Sequence, residues 1–586
     1  MFNFTDIKLA NLWGVGIALS LLMGSCTPPV LKVTGESNQV IVSVLSDPKT
    51  FNYALNQESP NIFGITYEGL IKTHGITSEI IPALAESWQI SPDKKTITFT
   101  LREGLRWSDG EPLTVDDVIF TYNEIYFNEA IPTDSRDILR VGDDRVLPTL
   151  KVVGDRQIQV QVSEPFAPLL RNMGLPILPK HKLAESIHTL DSEGNPKFLS
   201  MWGNDTAPQE IVCNGPFMLE SYNTAEQVVF KRNPYYWDKD EAGQSLPYLD
   251  RYRWRIVENQ NTSLLKFRSG ELDAASLRPE DFSLLKKQEK VGNFKIYTGG
   301  PSASTSFLAF NLNQGKRKGK PLVDPIKSRW FRTLEFRQAI AYAIDRQSII
   351  DTVYRGLGVP IDSNISIQSP YYLSPAEGLP VYNFNPEKAK QLLLKAGFQY
   401  DDQGTLLDWD NNVVEFTLIT NSGNLIREST AVRIKQDLAQ IGIQVNVSAI
   451  AFNLLVNKLD DSLDWEVHLL GFTGGIEPNS GSNIWQPDGG LHTFNQSKPD
   501  LENWQVSAWE TQIGQLYVQG ARELDDQKRK EIYGKAQAIA QEQVPFIQLV
   551  NQMTMAAVRN RFEEIQFSDL EGPFWNLDEI KVKLDP

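Results

Sequence analysis

The sequence is poor in the residues that carry out chemistry in enzymes. Its 586 residues include only two cysteines and five histidines, and the histidines show neither CxxC nor HxxxH spacing. It also lacks a Gly-x-Ser-x-Gly nucleophile elbow, a His-Glu-x-x-His zinc helix and a phosphate-binding Gly-x-x-x-x-Gly-Lys-Ser/Thr loop. We therefore expect no catalytic residue, no metal site and no cofactor, which argues against a hydrolase.

Positive charge is also scarce. Lys and Arg total 57 against 73 Asp and Glu, which gives a formal net charge of −16. An acidic surface repels the phosphates of nucleic acids and anionic lipid headgroups. We expect no nucleic acid partner and no peripheral binding to a membrane through surface charge.

Long apolar runs are absent apart from one at the N-terminus. Residues 9–23 form an apolar run of about 15 residues, which is shorter than the roughly 20 that a membrane-spanning helix needs. Such a run is typical of a secretory signal peptide. Small residues then precede Cys26 in a pattern that resembles a bacterial lipobox, so we predict an exported protein with a lipid on Cys26 as its only membrane anchor. The alternative is an ordinary signal peptide with an incidental cysteine.

The second cysteine is left without a disulfide partner if Cys26 carries lipid. Cys213 lies in an apolar approach to a turn, Ile211-Val212-Cys213-Asn214-Gly215. This setting predicts a buried and unreactive thiol.

Alternating and helical patterns interleave along the rest of the chain, which predicts an α/β protein. Residues 40–44, 96–101, 157–162 and 443–447 have the alternation of strands. Residues 336–353 follow helical spacing as one helix. Asn385-Pro386 supplies an N-cap and a first-turn proline for another helix that ends at Gly397. A further helix over about 428–441 stops at Gly442.

Four groups of segments together resemble the bacterial extracellular solute-binding proteins of family 5, the peptide and nickel receptors of ABC importers. Each group combines turn residues, aromatic residues and helix starts in the order and spacing of that family. The groups are Tyr67–Leu70 with Ile81–Trp88, Phe99–Gly110 and Leu113–Val118; Asn214–Phe217 with Lys231–Trp237; Phe336–Arg346; and Pro386–Leu393 with Ala396–Gly397.

The resemblance implies a two-lobe periplasmic-binding-protein fold of type II, with an extra domain inserted in the first lobe. It also implies a monomer that binds a peptide or other small solute between the lobes and delivers it to an ABC permease and ATPase complex. Mapped onto this chain, the parts are a signal peptide at 1–25, a linker at 26–37, the first lobe at 38–58, 215–300 and 545–586, the inserted domain at 59–214, and the second lobe at 301–544.

The resemblance also indicates where ligand binds. Peptide receptors of this family have a Gly-Trp pair followed by an Asp that holds the α-amino group of the peptide. Here Phe472 replaces the Trp, Gly475 replaces the Asp, and Gly474 and Gly475 permit close backbone approach. Glu477, the first carboxylate after Gly475, is then the candidate for the amine partner and the only negative charge near this segment. Alternatively, Glu477 is a solvated loop residue, or the ligand lacks a free amine.

Three further segments are candidates for the wall of the site. The hydroxyl-rich crossing that contains Ser302, Ser304 and Thr305 offers donors and acceptors to a peptide, although a bare loop has the same composition. By family analogy, the loop after the first strand brings Phe51 and Asn52 to the cleft. Trp485 offers a stacking surface, unless it belongs to the core like most of the 13 tryptophans.

Several functions remain open at this stage. The main prediction is a receptor for oligopeptides or dipeptides. A receptor for an oligosaccharide or a nickel chelate, a secreted hydrolase, and a sensory module acting through another membrane partner are the alternatives.

Overall fold

The computed structural model describes residues 38–56, 60–570 and 572–583. The predicted signal peptide, the linker and Cys26 lie outside this part of the chain. Within the described residues, no helix combines the length and the apolar character that crossing a membrane requires.

The strands of the described residues are, in chain order, β1 Gln39–Val44, β2 Ile71–Thr73, β3 Ile80–Pro82, β4 Ala85–Ile90, β5 Thr96–Leu101, β6 Thr149–Gly154, β7 Gln157–Gln161, β8 Phe217–Asn223, β9 Gln227–Arg232, β10 Arg251–Ile256, β11 Ala274–Ser276, β12 Phe294–Pro301, β13 Phe307–Phe310, β14 Lys316–Arg317, β15 Lys320–Pro321, β16 Gly358–Pro360, β17 Gln399–Tyr400, β18 Leu406–Leu407, β19 Glu415–Asn421, β20 Gln444–Ile450, β21 Val467–Leu470, β22 Phe546–Gln548, β23 Val550–Arg559, β24 Phe562–Glu563 and β25 Lys581–Val582.

The α-helices of the same residues are α1 Phe63–Thr66, α2 Val115–Phe120, α3 Ser135–Leu139, α4 Leu169–Asn172, α5 Lys180–His188, α6 Gln260–Ser269, α7 Pro279–Gln288, α8 Pro325–Arg332, α9 Leu334–Ala343, α10 Arg346–Thr352, α11 Pro386–Lys395, α12 Leu425–Ala439, α13 Phe452–Asn457, α14 Ser482–Trp485, α15 Ala508–Arg522 and α16 Asp526–Gln543. Short 3-10 helices occupy Tyr53–Leu55, Lys197–Ser200, Pro208–Glu210, Pro375–Glu377, Pro478–Gly481 and Thr493–Asn495, and π-helical turns occupy Thr121–Tyr126 and Lys458–Ser462.

Two sheets belong to the first lobe. The first has the order β1-β10-β9-β8, and β1 runs parallel to β10 although about 200 residues separate them in sequence. The second has the order β11-β23-β12, with β16 pairing to the same strand β23. Strand β12 ends at Pro301, where the predicted second lobe begins, and β23 begins at Val550, shortly after that lobe ends, so both ends of the second lobe connect to the first lobe through this sheet.

The inserted segment carries its own antiparallel sheet of order β4-β5-β7-β6. The predicted pairing of residues 96–101 with 157–162 is confirmed, with Thr96 opposite Gln161. Thr114 begins α2 with a capping box, in which Asp117 accepts a hydrogen bond from the Thr114 backbone N–H at 2.8 Å. Cys213 is 1% exposed, which confirms the predicted burial, and burial raises the pKa of its thiol to about 12.

The second lobe is built on a five-stranded sheet of order β20-β19-β21-β13-β22. Helices α9 and α12 contribute to its hydrophobic core, which extends from Phe307 to Val550. A separate hydrophobic cluster joins the first lobe to the inserted segment. The observed arrangement is therefore two α/β lobes with an inserted domain, as the sequence predicts. The residue boundaries of the three parts remain predictions.

One helix differs from its prediction. Residues 336–353 form two helices, α9 and α10, because the chain is extended at Ile344 and the side chain of Asp345 caps α10 by accepting from the Ser348 N–H at 2.9 Å. The helix that begins after Asn385 and the strand after Gly442 are confirmed.

Candidate ligand-binding cleft

A cavity of about 1100 Å³ lies between the two lobes and the inserted segment. Its wall in the first lobe includes residues 44–47 and Glu258, and the inserted segment adds residues 60–61 and Asp134. The second lobe supplies the remainder, mainly from residues 421–427, 451–460 and 470–496. Segments from all three parts of the chain therefore enclose one space.

The sheets explain why these segments meet. Strands β1 and β10 are parallel and end at Val44 and Ile256, so the residues that follow both strands emerge at one edge of the sheet. Strands β19, β20 and β21 are likewise parallel neighbours, and they end at Asn421, Ile450 and Leu470. Ligands of α/β proteins bind outside the carboxyl ends of parallel strands, and here two such edges face each other.

Most of the predicted second-lobe residues line this cavity, namely Thr305, Phe472, Gly474, Gly475, Glu477 and Trp485. The Phe472 segment is fixed to the inter-lobe crossing, since the Thr305 N–H donates to the Phe472 carbonyl at 2.9 Å. A Cβ on Gly474 would lie 1.8 Å from the Ala303 carbonyl oxygen, so only glycine permits this approach. Trp485 is 3% exposed and stacks on Tyr517, so most of its ring belongs to the core.

The other predicted contacts do not form part of the cavity wall. Phe51 is fully buried and packs edge-on against Tyr222. The Asn52 side chain caps a 3-10 helix and donates to backbone carbonyls of the inserted domain. The carbonyl groups of Ser302 and Ser304 both accept from Asn551, which fixes the segment that connects β12 to β13. These four residues stabilise the frame of the cleft and do not line the cavity, and their contact with ligand stays a prediction.

Glu477 lines the cavity, but its carboxylate already has a partner. Arg529 Nη2 donates to Glu477 Oε1 at 2.7 Å, and the two side chains are only 4% and 8% exposed. Glu477 Oε1 also accepts from the Asn479 N–H at 3.1 Å. The carboxylates of Asp47, Asp134, Glu258 and Asp460 line the same cavity. The prediction that Glu477 is the only nearby negative charge is therefore wrong.

The charged residue that the sequence reasoning missed is Arg427, in the first turn of α12. Its Nη1 donates to Asn421 Oδ1 at 2.8 Å, and burial lowers its pKa from the usual value for arginine. Within the described residues, Arg427 forms no ion pair with a carboxylate, unlike Arg529. The helix N-cap Asn424, which follows strand β19, was the available signal, because it places the next residues at the carboxyl edge of the sheet.

His468 lies on β21, the strand whose last residue, Leu470, lines the cavity. The side chain is completely buried against Trp465 and Phe307, and neither ring nitrogen has a hydrogen-bond partner in the part of the chain described here. Burial, with a smaller contribution from the charge of Arg427, lowers the pKa of His468 to about 3. The imidazole is therefore neutral in the folded protein at any physiological pH.

This histidine predicts a loss of stability in acid. Below pH ~6.5 the unfolded chain binds a proton at His468 that the folded chain does not bind until about pH 3. The free energy of unfolding then falls by about 1.4 kcal/mol per pH unit across that window. We expect His468→Met to reduce the loss between pH 7 and pH 5, measured by urea unfolding. The exposed His188→Gln is the control. An unchanged pH dependence in His468→Met would contradict this assignment.

Comparison with known proteins agrees with this geometry. Residues 79–495 match the family described as "Bacterial extracellular solute-binding proteins, family 5 Middle". A relative from Deinococcus radiodurans, named "Probable ABC transporter-binding protein", is 34% identical over 548 residues, which cover 89% of this chain and 88% of the relative. The oligopeptide-binding protein AppA of Bacillus subtilis is 26% identical over 489 residues, with 81% of each chain covered.

Solved structures show the same fold. AppA of Bacillus subtilis in complex with a nonapeptide superposes with a TM-score of 0.77 at 22% identity, covering 93% of this chain and 99% of AppA. MelB of Agrobacterium fabrum in complex with stachyose superposes with a TM-score of 0.79 at 21% identity, covering 93% and 85%. The protein is thus a two-lobe periplasmic-binding-protein fold with an inserted domain. The chain belongs to the bacterial extracellular solute-binding proteins of family 5, as the sequence motifs indicate.

Proposed function

We propose that this protein captures oligopeptides in the cleft between its lobes and delivers them to the permease and ATPase of an ABC importer. The observation that carries the proposal is the cavity of about 1100 Å³ enclosed by both lobes. This volume is at the upper end of the roughly 300–1,000 Å³ of ordinary small-molecule pockets, so the cavity has room for a ligand of several residues. The peptide-binding relative AppA supports the choice of peptide.

The charges of the wall suit a peptide with free termini. Arg427 offers a guanidinium without a carboxylate partner among the described residues, which suits the terminal carboxylate. On the first-lobe side, Glu258 lines the cavity with an exposed side chain and forms no ion pair in the described ranges. An ammonium and a carboxylate on one ligand therefore have candidate partners on opposite lobes.

Contacts between the lobes support capture by closure. The Leu425 N–H at the start of α12 donates to Gln260 Oε1 of the first lobe at 3.2 Å. Arg145 of the inserted segment pairs with Asp488 of the second lobe at 2.6 Å. A ligand that binds both lobes would stabilise this closed arrangement, as in other hinge-type binding proteins.

The direct test is calorimetric titration of the protein, freed of bound ligand by unfolding and refolding, with a pool of short peptides that have free termini. We expect saturable binding without cleavage of the peptides. Cleavage would favour a hydrolase, and the absence of binding to any member of the pool would contradict the peptide assignment.

We also propose that Cys26 is the mature N-terminus and carries the lipid anchor. Replacement of Cys26 with Ala removes the thiol that is acylated, so the exported protein is expected in the soluble fraction after cell lysis. Cys213→Ala is the matched control and is expected to stay with the membrane fraction. Firm membrane retention of Cys26→Ala would contradict the proposal.

A further inference from the structure

One side of the cavity is apolar, and it is formed in part by the helix that follows β20. Phe452 and Val456 of α13 line the cavity, as does Leu459 of the π-helical turn that continues this helix. Their spacing of four and then three residues places them on one face of the helix. Phe452 and Val456 are only partly buried, so both side chains keep apolar surface that a ligand in the cavity can cover.

The chain at the end of β21 extends this surface. Leu470 and Phe472 also line the cavity. Leu470 packs with Leu459 in a hydrophobic cluster against which Phe452 also packs. Phe472 packs on Phe307, with ring centroids 4.8 Å apart. The five cavity residues are called the apolar wall, and they are Phe452, Val456, Leu459, Leu470 and Phe472. Because side chains of the second-lobe core pack behind it, the apolar wall has a fixed shape.

The guanidinium of Arg427 lies beside the apolar wall. A Cβ on Gly471, the residue between Leu470 and Phe472, would lie 3.4 Å from Arg427 Nη2. Arg427 Nη1 donates to Asn421 Oδ1 at 2.8 Å, at the end of β19. Strand β19 pairs with β20, the strand that leads into α13. The positive charge therefore adjoins both segments that form the apolar wall.

The carboxylate beside the apolar wall is already paired. Asp460 follows Leu459 and lines the cavity, and Lys498 neutralises it at 2.6 Å. A polar ligand group placed against the wall would lose hydrogen bonds to water that apolar side chains cannot replace. An apolar ligand group would remove apolar surface from water on both sides of the contact. The apolar wall therefore favours an apolar group on the ligand.

We propose that Arg427 and the apolar wall together select peptides whose last residue is apolar. The inference deepens the proposed function and rests on it. Arg427 binds the terminal carboxylate, and the side chain of the same residue packs on Phe452 and Val456. The last residue of a peptide carries its main-chain carboxylate and its side chain on one carbon atom, so a guanidinium next to an apolar surface suits both groups at once. The cleft then reads one side chain as well as the ends of the ligand.

Peptides that differ at one position test this selectivity. The probes are alanine-based peptides of three to five residues with free termini, in which Leu, Gln or Lys replaces the first, a middle or the last residue. Calorimetry measures their binding to wild type, to the isosteric Val456→Thr and to Val456→Asp. Leu454→Asp is the matched control, because Leu454 lies on the same helix, is 49% exposed and does not line the cavity. Thermal melting of each protein checks folding.

We expect wild type and Leu454→Asp to bind the peptide that ends in Leu about tenfold more tightly than the peptide that ends in Gln. Val456→Thr is expected to lose most of this preference, and Val456→Asp is expected to prefer the peptide that ends in Lys. Three results would overturn the inference and leave the proposed function standing: peptide binding without a Leu preference at the last position, a preference that survives both Val456 substitutions, and an equal loss in Leu454→Asp. Failure of every peptide to bind would overturn both.

Discussion

Replacing Glu477 with Gln is expected to lower the free energy of unfolding of the second lobe by about 3–5 kcal/mol, since it leaves a buried arginine without its counter-charge. Arg529 is 4% exposed and donates to Glu477, to the Tyr371 hydroxyl and to the Gly520 carbonyl. Although burial opposes a charge at this position, Glu477 raises the pKa of Arg529 above its usual value. Urea unfolding followed by tryptophan fluorescence measures the loss.

Two further variants give this prediction its controls. Glu387 is exposed and pairs with Lys390 on the surface. Replacing Glu387 with Gln is expected to lower the free energy of unfolding by less than about 1 kcal/mol. Combining Glu477→Gln with Arg529→Met removes the stranded charge and is expected to recover part of the stability. A loss below about 1 kcal/mol in Glu477→Gln would show that the ion pair does not hold the wall of the cleft. A selective loss of affinity for free-amine peptides, with stability unchanged, would instead restore Glu477 as the amine partner.

Replacing Arg427 with Met is expected to weaken binding of a peptide with a free C-terminus by about ten- to a hundred-fold. A hydrogen bond to a charged group contributes about 1.5–3 kcal/mol, and Arg427 has no competing carboxylate in the described part of the chain. C-terminally amidated peptide is expected to bind wild type less tightly and to be nearly indifferent to the substitution. Calorimetry with both peptides on both proteins forms a double-mutant cycle that isolates this pair.

The exposed Arg332→Met is the matched control, because it makes the same chemical change on a surface helix outside the cavity. It is expected to bind both peptides as wild type does. Equal losses for the free and amidated peptides in Arg427→Met would indicate that Arg427 shapes the loop after β19 without contacting the ligand carboxylate.

Local sequence patterns predicted much of the fold because their causes are local. The alternation in residues 96–101 and the Asn385-Pro386 helix start depend on neighbours in sequence, and both are confirmed. The break between α9 and α10 was missed because apolar spacing continues through it. What ends α9 is the extended backbone at Ile344, and Asp345 then starts a new helix. At that point the capping side chain of Asp345 begins a new helix, although the spacing of apolar residues continues unbroken.

The site was predicted only in part, because partners distant in sequence decide which side chains are free. Glu477 has the sequence context of a ligand contact, but Arg529, about 50 residues further along the chain, occupies its carboxylate. Phe51 follows a strand that leads to the cleft, yet its ring faces the core. For Arg427 the sequence offered only the helix start at Asn424, since the role of this arginine depends on the edge that β19, β20 and β21 form together.

The central claim, capture of peptides between the lobes, is tested most directly by mass spectrometry of the small molecules that the purified protein releases on unfolding. The protein is to be isolated from its periplasmic or cell-surface fraction without a refolding step, beside the Arg427→Met variant. We expect peptides with free C-termini from the wild type and markedly fewer from the variant. Release of oligosaccharides or a metal chelate in place of peptides, in equal amounts from both proteins, would contradict the claim.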